Sequence, residues 1–241
     1  YIDPVAGADT NDGLSEAKPV KTVAAAYAAL EGADTGRVVF LSTLTLTALT
    51  NFPSCSIPVT LTSKTGAEGI AAKENIYFRG PTTLENMTFT SNAANSYTLM
   101  SAGGHKFTIG KNVTTVKAGS YYFCLTGGSN YGNCTGVDLT VLSGTWQNIY
   151  SAAHGTRTVD GDAKVTLDGI TVVGVVSGGR QSVITGDLTI YVENSNIATI
   201  YACASQTTGR IDGDVTVTLG QGAQVTNYTI ESNSMSAVKG I

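Results

Sequence analysis

The chain has 241 residues, of which 14 are Lys or Arg and 18 are Asp or Glu, giving a net charge of −4 with only 13% charged residues. That balance has the wrong sign for tracking phosphates and argues against nucleic acid as a partner. The low charge and 28 glycines argue against a helix-rich fold, and no apolar run approaches the ~18 residues of a membrane-spanning helix.

The chain opens on Tyr1-Ile2-Asp3-Pro4 with no basic and apolar leader, so export stays open. Asp9-Thr10-Asn11-Asp12-Gly13 has the oxygen-rich spacing of an EF-hand start but no Glu at the last ligand position, and an Asx-turn accounts for it better. Val23 to Leu30 is alanine-rich, with apolar Val23, Tyr27 and Leu30 on one side; this predicts a short amphipathic helix ending near Gly32. Residues 1–35 are expected to cap a stack of coils over 36–241, together one domain and a segment of a longer polypeptide. Tyr1-Ile2-Asp3-Pro4, Gly7, Asp9, Asn11-Asp12-Gly13, Ser15, Pro19 and Lys21-Thr22, with the helix after them, resemble the N-terminal capping motif of bacterial extracellular parallel β-helix proteins of the pectin-lyase-like superfamily. Members include polysaccharide lyases, glycoside hydrolases, tailspike-like proteins, adhesins and glycan-binding modules. The resemblance therefore implies an extracellular or bacterial cell-surface location without choosing an activity.

Beyond the cap the chain is expected to form β-type runs, beginning with Val38-Val39-Phe40-Leu41, Val59-Thr60-Leu61-Thr62 and Ile76-Tyr77-Phe78. The second half repeats openly. Val137-Asp138-Leu139-Thr140-Val141, Gly161-Asp162-Ala163-Lys164-Val165, Gly186-Asp187-Leu188-Thr189-Ile190 and Gly213-Asp214-Val215-Thr216-Val217 align on their aspartates. A second register aligns Ser101, Thr126, Ser151 and Ser177. Within each run, apolar and polar β-branched residues alternate, as a strand with one buried face requires. A unit of about 25 residues cannot close a core alone, but stacked coils at ~4.8 Å can. The fold class expected is all-β: a right-handed parallel β-helix of about eight coils with a short N-terminal capping helix.

Cys124 and Cys134 stand near enough for a loop-closing disulfide, or act with Cys55 and Cys203 as small buried hydrophobes. Asp138, Asp162, Asp187 and Asp214 are expected to form one ladder, with Asp160 and Asp212 two residues earlier and Arg157, Arg180 and Arg210 in the preceding turns. Bare carboxylates ~5 Å apart repel. The aspartates therefore cap turns and pair with arginines, hold a structural calcium, or form with calcium and an arginine base the site of a lyase acting on acidic glycans.

Gly104-His105-Lys106 is a fragment of a polygalacturonase-like pattern without its paired carboxylates, and His154 has no nucleophile beside it. Sugar recognition without catalysis asks instead for exposed aromatic faces. Trp146, Tyr131 and Tyr191 are the candidates, while Tyr150 and Tyr201 are expected to stack inside. Thr-x-Thr runs such as Thr43 to Thr47 raise an ice-binding array, but Lys164, Tyr191 and Leu142 break it. The expected function is a non-catalytic extracellular module binding a polysaccharide or cell-surface glycan, with other domains of the same polypeptide as further partners. The alternatives are the calcium-dependent lyase and a structural spacer.

Overall fold

A computed structural model of the chain describes residues 1–94, 96–204 and 209–229. Closure of the last coil by Ile230 to Ile241 lies outside the described residues. The fold is a parallel β-solenoid of about eight turns. One sheet stacks Gly36–Phe40, Val59–Ser63, Thr82–Glu85, Lys106–Ile109, Val137–Val141, Ala163–Asp168, Leu188–Glu193 and Val215–Leu219 in chain order. A nine-stranded sheet, from Thr50–Asn51 to Gln224–Thr229, forms a second side. A four-stranded sheet from Leu44–Leu46 to Val113–Lys117 forms the third side of the early coils. In the later coils the long strands Thr171–Gly179 and Asn196–Ala204 run through both of these sides, with a register shift between Val172 and Val175.

Alternation sets the interior, as the sequence predicts. Val38, Leu61, Leu84, Ile109, Val141, Leu167, Val192 and Leu219 form one inward column, with steps of 23, 23, 25, 32, 26, 25 and 27 residues. All but Leu219 in the last coil are buried, and each removal of such a side chain from water contributes roughly 1.5–3 kcal/mol. A second interior feature was not legible: the rings of Tyr27, Phe52, Phe78 and Phe107 stack across successive layers, with centroids 6.1, 4.7 and 5.0 Å apart.

The helix is Val23–Ala28, and Tyr27 carries its apolar face onto the first ring of that stack. Thr22 caps it by accepting the Ala25 N–H at 3.2 Å, and Asp9 accepts the Lys21 and Thr22 N–H groups, both at 2.8 Å. Asp12 accepts the Leu14 N–H at 3.0 Å, the Asx-turn expected of the Asp9 to Gly13 segment. The corner after the eight-stranded sheet needs left-handed backbone, and Asn86, Asn112 and Asn194 adopt φ of 46°, 62° and 45° there. Asn tolerates that region better than other residues with a side chain. Among the described residues, no helix is long and apolar enough to cross a membrane.

Candidate functional site

The arc joining the nine-stranded to the eight-stranded sheet changes length abruptly along the rod. It runs 5 residues from Tyr77 to Thr82 and 6 from Ser101 to Phe107, then 13 from Thr126 to Leu139 and 15 from Tyr150 to Val165. The extra residues of the later arcs build a small parallel sheet of Thr158–Val159, Val183–Ile184 and Arg210–Ile211. The first long arc overhangs the short ones. Tyr131, at its tip, reaches back along the rod so that its ring lies 4.0 Å from that of Tyr77, whose strand is two coils earlier.

Beneath this overhang is a pocket of about 150 Å³ lined by Tyr77, Phe78, Arg79, Gly103, His105, Ser129 and Tyr131. Tyr131 is 50% exposed, whereas Tyr77 behind it is 7% exposed and fixes the ring's position. Arg79 is exposed and, among the described residues, forms no ion pair. His105 is half-buried, and desolvation holds its imidazole below the ordinary histidine pKa, so at neutral pH it both donates and accepts hydrogen bonds. Gly103 is needed here. Its φ is +70°, and a Cβ would stand 2.7 Å from the Phe78 carbonyl oxygen.

The wall continues past Tyr131. Asn130 accepts the His154 N–H at 2.8 Å through its side chain and the Arg157 Nε–H at 3.1 Å through its backbone carbonyl. His154 Nε2 lies 2.9 Å from Arg180 Nη1, so the imidazole nitrogen accepts from the guanidinium. Burial first, and the Arg180 charge second, lower the His154 pKa.

Several expected site residues fall elsewhere. Trp146 is 0% exposed, with its indole N–H donated to the Ser143 carbonyl at 3.0 Å, so it offers no face to a ligand. Tyr191 points outward from the eight-stranded sheet and donates to Glu193 Oε2 at 3.0 Å, on a different wall from Tyr131. Tyr150 and Tyr201 do not stack in the main core: they lie on the face of the sheet away from it, separated by Ser177, with Tyr150 buried against the His154 ring, while Ile149, Val176 and Ile200 fill the interior. Thr126 pairs with Tyr150, so the alignment on Ser151 is off by one residue.

The aspartate ladder is real but shorter than expected. Asp138 is not in it; Asp138 pairs between Lys106 and Lys164, two residues out of register. A slip of two preserves which side chains face inward, so alternation alone could not detect it. Asp162, Asp187 and Asp214 do follow one another, and the backbone amides of Asp187 and Asp214 each donate to the carboxylate one coil before, at 2.9 and 2.7 Å. The glycines before Asp187 and Asp214 have the same origin: a Cβ on Gly186 or Gly213 would overlap that carboxylate.

The arginines form no matching ladder. Arg210 pairs with Asp212 at 2.7 Å, Thr185 donates to Asp160 at 3.1 Å, and Arg157 and Arg180 serve the loop wall. Two ladder carboxylates are engaged by amides of their own chain, and no group of three or more His, Cys, Asp or Glu with metal-binding geometry exists among the described residues.

No disulfide joins Cys124 to Cys134; Cys124 is buried and accepts from Asn148 Nδ2 at 3.3 Å, while Cys134 packs on Gly104. On the outer face of the eight-stranded sheet, Thr60, Thr83, Thr108, Thr140 and Thr166 form one file, interrupted by Tyr191 and flanked by the charged Lys106, Asp138 and Lys164. Compared with known proteins, the chain matches no protein family, no curated protein and no solved structure.

Proposed function

We propose that this protein is a non-catalytic glycan-binding module that works in adhesion outside a bacterial cell. The observation that carries the reading is the overhung pocket. A sugar ring presents an apolar face and a rim of hydroxyls, and the pocket offers a braced aromatic face in Tyr131 with donors and acceptors in Ser129, His105 and Arg79 around it. Glycoside hydrolysis by paired carboxylates finds no partners there, since none of the seven lining residues is acidic. The setting rests on the resemblance of the N-terminal cap residues to those of extracellular β-helix proteins.

The test is retention on immobilised polysaccharides and a glycan array, with ultraviolet absorbance followed for unsaturated product. Retention without product, weakened about tenfold or more by Tyr131→Ala, is the expected result. Appearance of product makes the protein a lyase. No retention on any glycan leaves the spacer reading in its place.

A further inference from the structure

The cations of the loop wall lie along the rod rather than around one point. Arg79 belongs to a short arc, and Arg157 to a long arc three coils further on. Three coil spacings amount to roughly 14 Å along the axis. Between them stand the exposed Tyr131 ring, His105 and Asn130, which is continuous with Tyr131 in sequence and touches the Arg157 loop. Arg157 is exposed, yet its Nε is tied to the Asn130 carbonyl at 3.1 Å, which restrains its guanidinium. A held guanidinium loses less freedom on meeting a ligand than a mobile one. Among the described residues neither Arg79 nor Arg157 forms an ion pair, and no carboxylate lines the pocket.

We infer that the ligand is an acidic oligosaccharide lying along the rod axis, its carboxylate or sulfate groups bound directly by Arg79 and Arg157 with a sugar ring on Tyr131 between them. This inference rests on the glycan-binding reading and names the substrate class and direction at the same site. A neutral glycan would leave two solvent-facing guanidinium groups with no charge to meet. A metal-bridged acid would need protein carboxylates at the pocket, and its lining has none. A ligand spanning both arginines must exceed a single sugar, so affinity should grow with chain length until both are reached.

The experiment is calorimetric titration of the whole chain in EDTA with galacturonate oligomers of increasing length, chondroitin sulfate oligomers, and neutral galactose oligomers. Acidic oligomers are expected to bind at least about tenfold more tightly than neutral ones, with Arg79→Gln and Arg157→Gln each removing about tenfold. Arg79→Lys should restore part of the loss. Arg157→Gln should also flatten the dependence on length, which a merely structural role would not do. Comparing chondroitin sulfate, which carries both groups, with its desulfated form assigns the anionic group as carboxylate or sulfate.

Circular dichroism of each variant checks the coil stack. Neutral oligomers binding as well as acidic ones, with loss in Tyr131→Ala but not in the arginine variants, overturns the inference and leaves the glycan-binding reading standing. A requirement for added calcium also overturns it. Absence of binding by every oligomer removes the reading and the inference together.

Discussion

The backbone N–H of Asp214 donates to the carboxylate of Asp187 at 2.7 Å, while the amide of Asp187 donates to Asp162 at 2.9 Å. The repeated Gly-Asp pair is thus a device for fixing one coil on the next. Asp187→Ala removes the acceptor for Asp214 and should lower stability by about 1 kcal/mol, while Asp187→Asn keeps an acceptor oxygen and should lower it less. Gly213→Ala should be the worst of the three, because its Cβ would overlap both the Asp187 carboxylate and the Gly186 backbone. Urea midpoints of the three variants check this order; a Gly213→Ala protein as stable as the parent would refute the packing argument.

The ring stack is the second point of leverage. Phe78 sits between Phe52 and Phe107 and is buried. Phe78→Ala should cost about 3–5 kcal/mol, whereas Phe78→Leu, which fills much of the volume, should cost appreciably less. Equilibrium unfolding distinguishes the two, and equal losses would show that the site collapses around either side chain.

The cap should be sensitive to acid. Hydrogen bonds from Ser42 and from the Ala6 and Val5 amides hold the Asp3 carboxyl below its ordinary pKa, against a smaller effect of burial. Asp9 is lowered as well, first by the Thr22 amide. A carboxyl depressed in the fold contributes stability above its unfolded pKa and loses it as pH falls through the folded value. The parent should therefore lose stability as pH drops below about 4, and the Asp3→Asn, Asp9→Asn double variant should lose less over the same interval. Thermal melts from neutral pH down to strong acid measure the difference.

His154 works in a higher window. Burial and then Arg180 lower its pKa from 6.5, so the fold favours the neutral ring. The unfolded chain takes up the proton first as pH falls, and stability should decline from about 6.5 downward until the folded value is reached. In His154→Gln that part of the slope should vanish. Urea titrations at several pH values, with the imidazole followed by NMR, test it; a ring titrating at or above 6.5 in the native protein contradicts the assignment.

The stacked β-coil architecture was readable because the deciding signal lies within each strand. Leu188, Ile190 and Val192 alternate with Thr189 and Tyr191, and every one falls on its expected face. The capping helix was readable for a related reason, since Thr22, Tyr27 and Leu30 act within one short segment. Asp138 was misplaced because the coil from Val141 to Leu167 takes 26 residues whereas Asp138 and Asp162 stand 24 apart, and a shift of two keeps the alternation intact.

The pocket was only partly readable. Tyr131 was singled out as an exposed ring, but Tyr77, Arg79 and Ser129 carried no signal, because nothing local says that one long arc folds back over two short ones. Trp146 shows the same limit, since whether a strand-edge aromatic faces in or out depends on the neighbouring coil. The sequence alone decides what repeats with period two along a strand, and hence what is inside. Coil-to-coil register and loop overhang depend on arc length and cross-coil packing, and these arise only when distant segments meet in the folded stack.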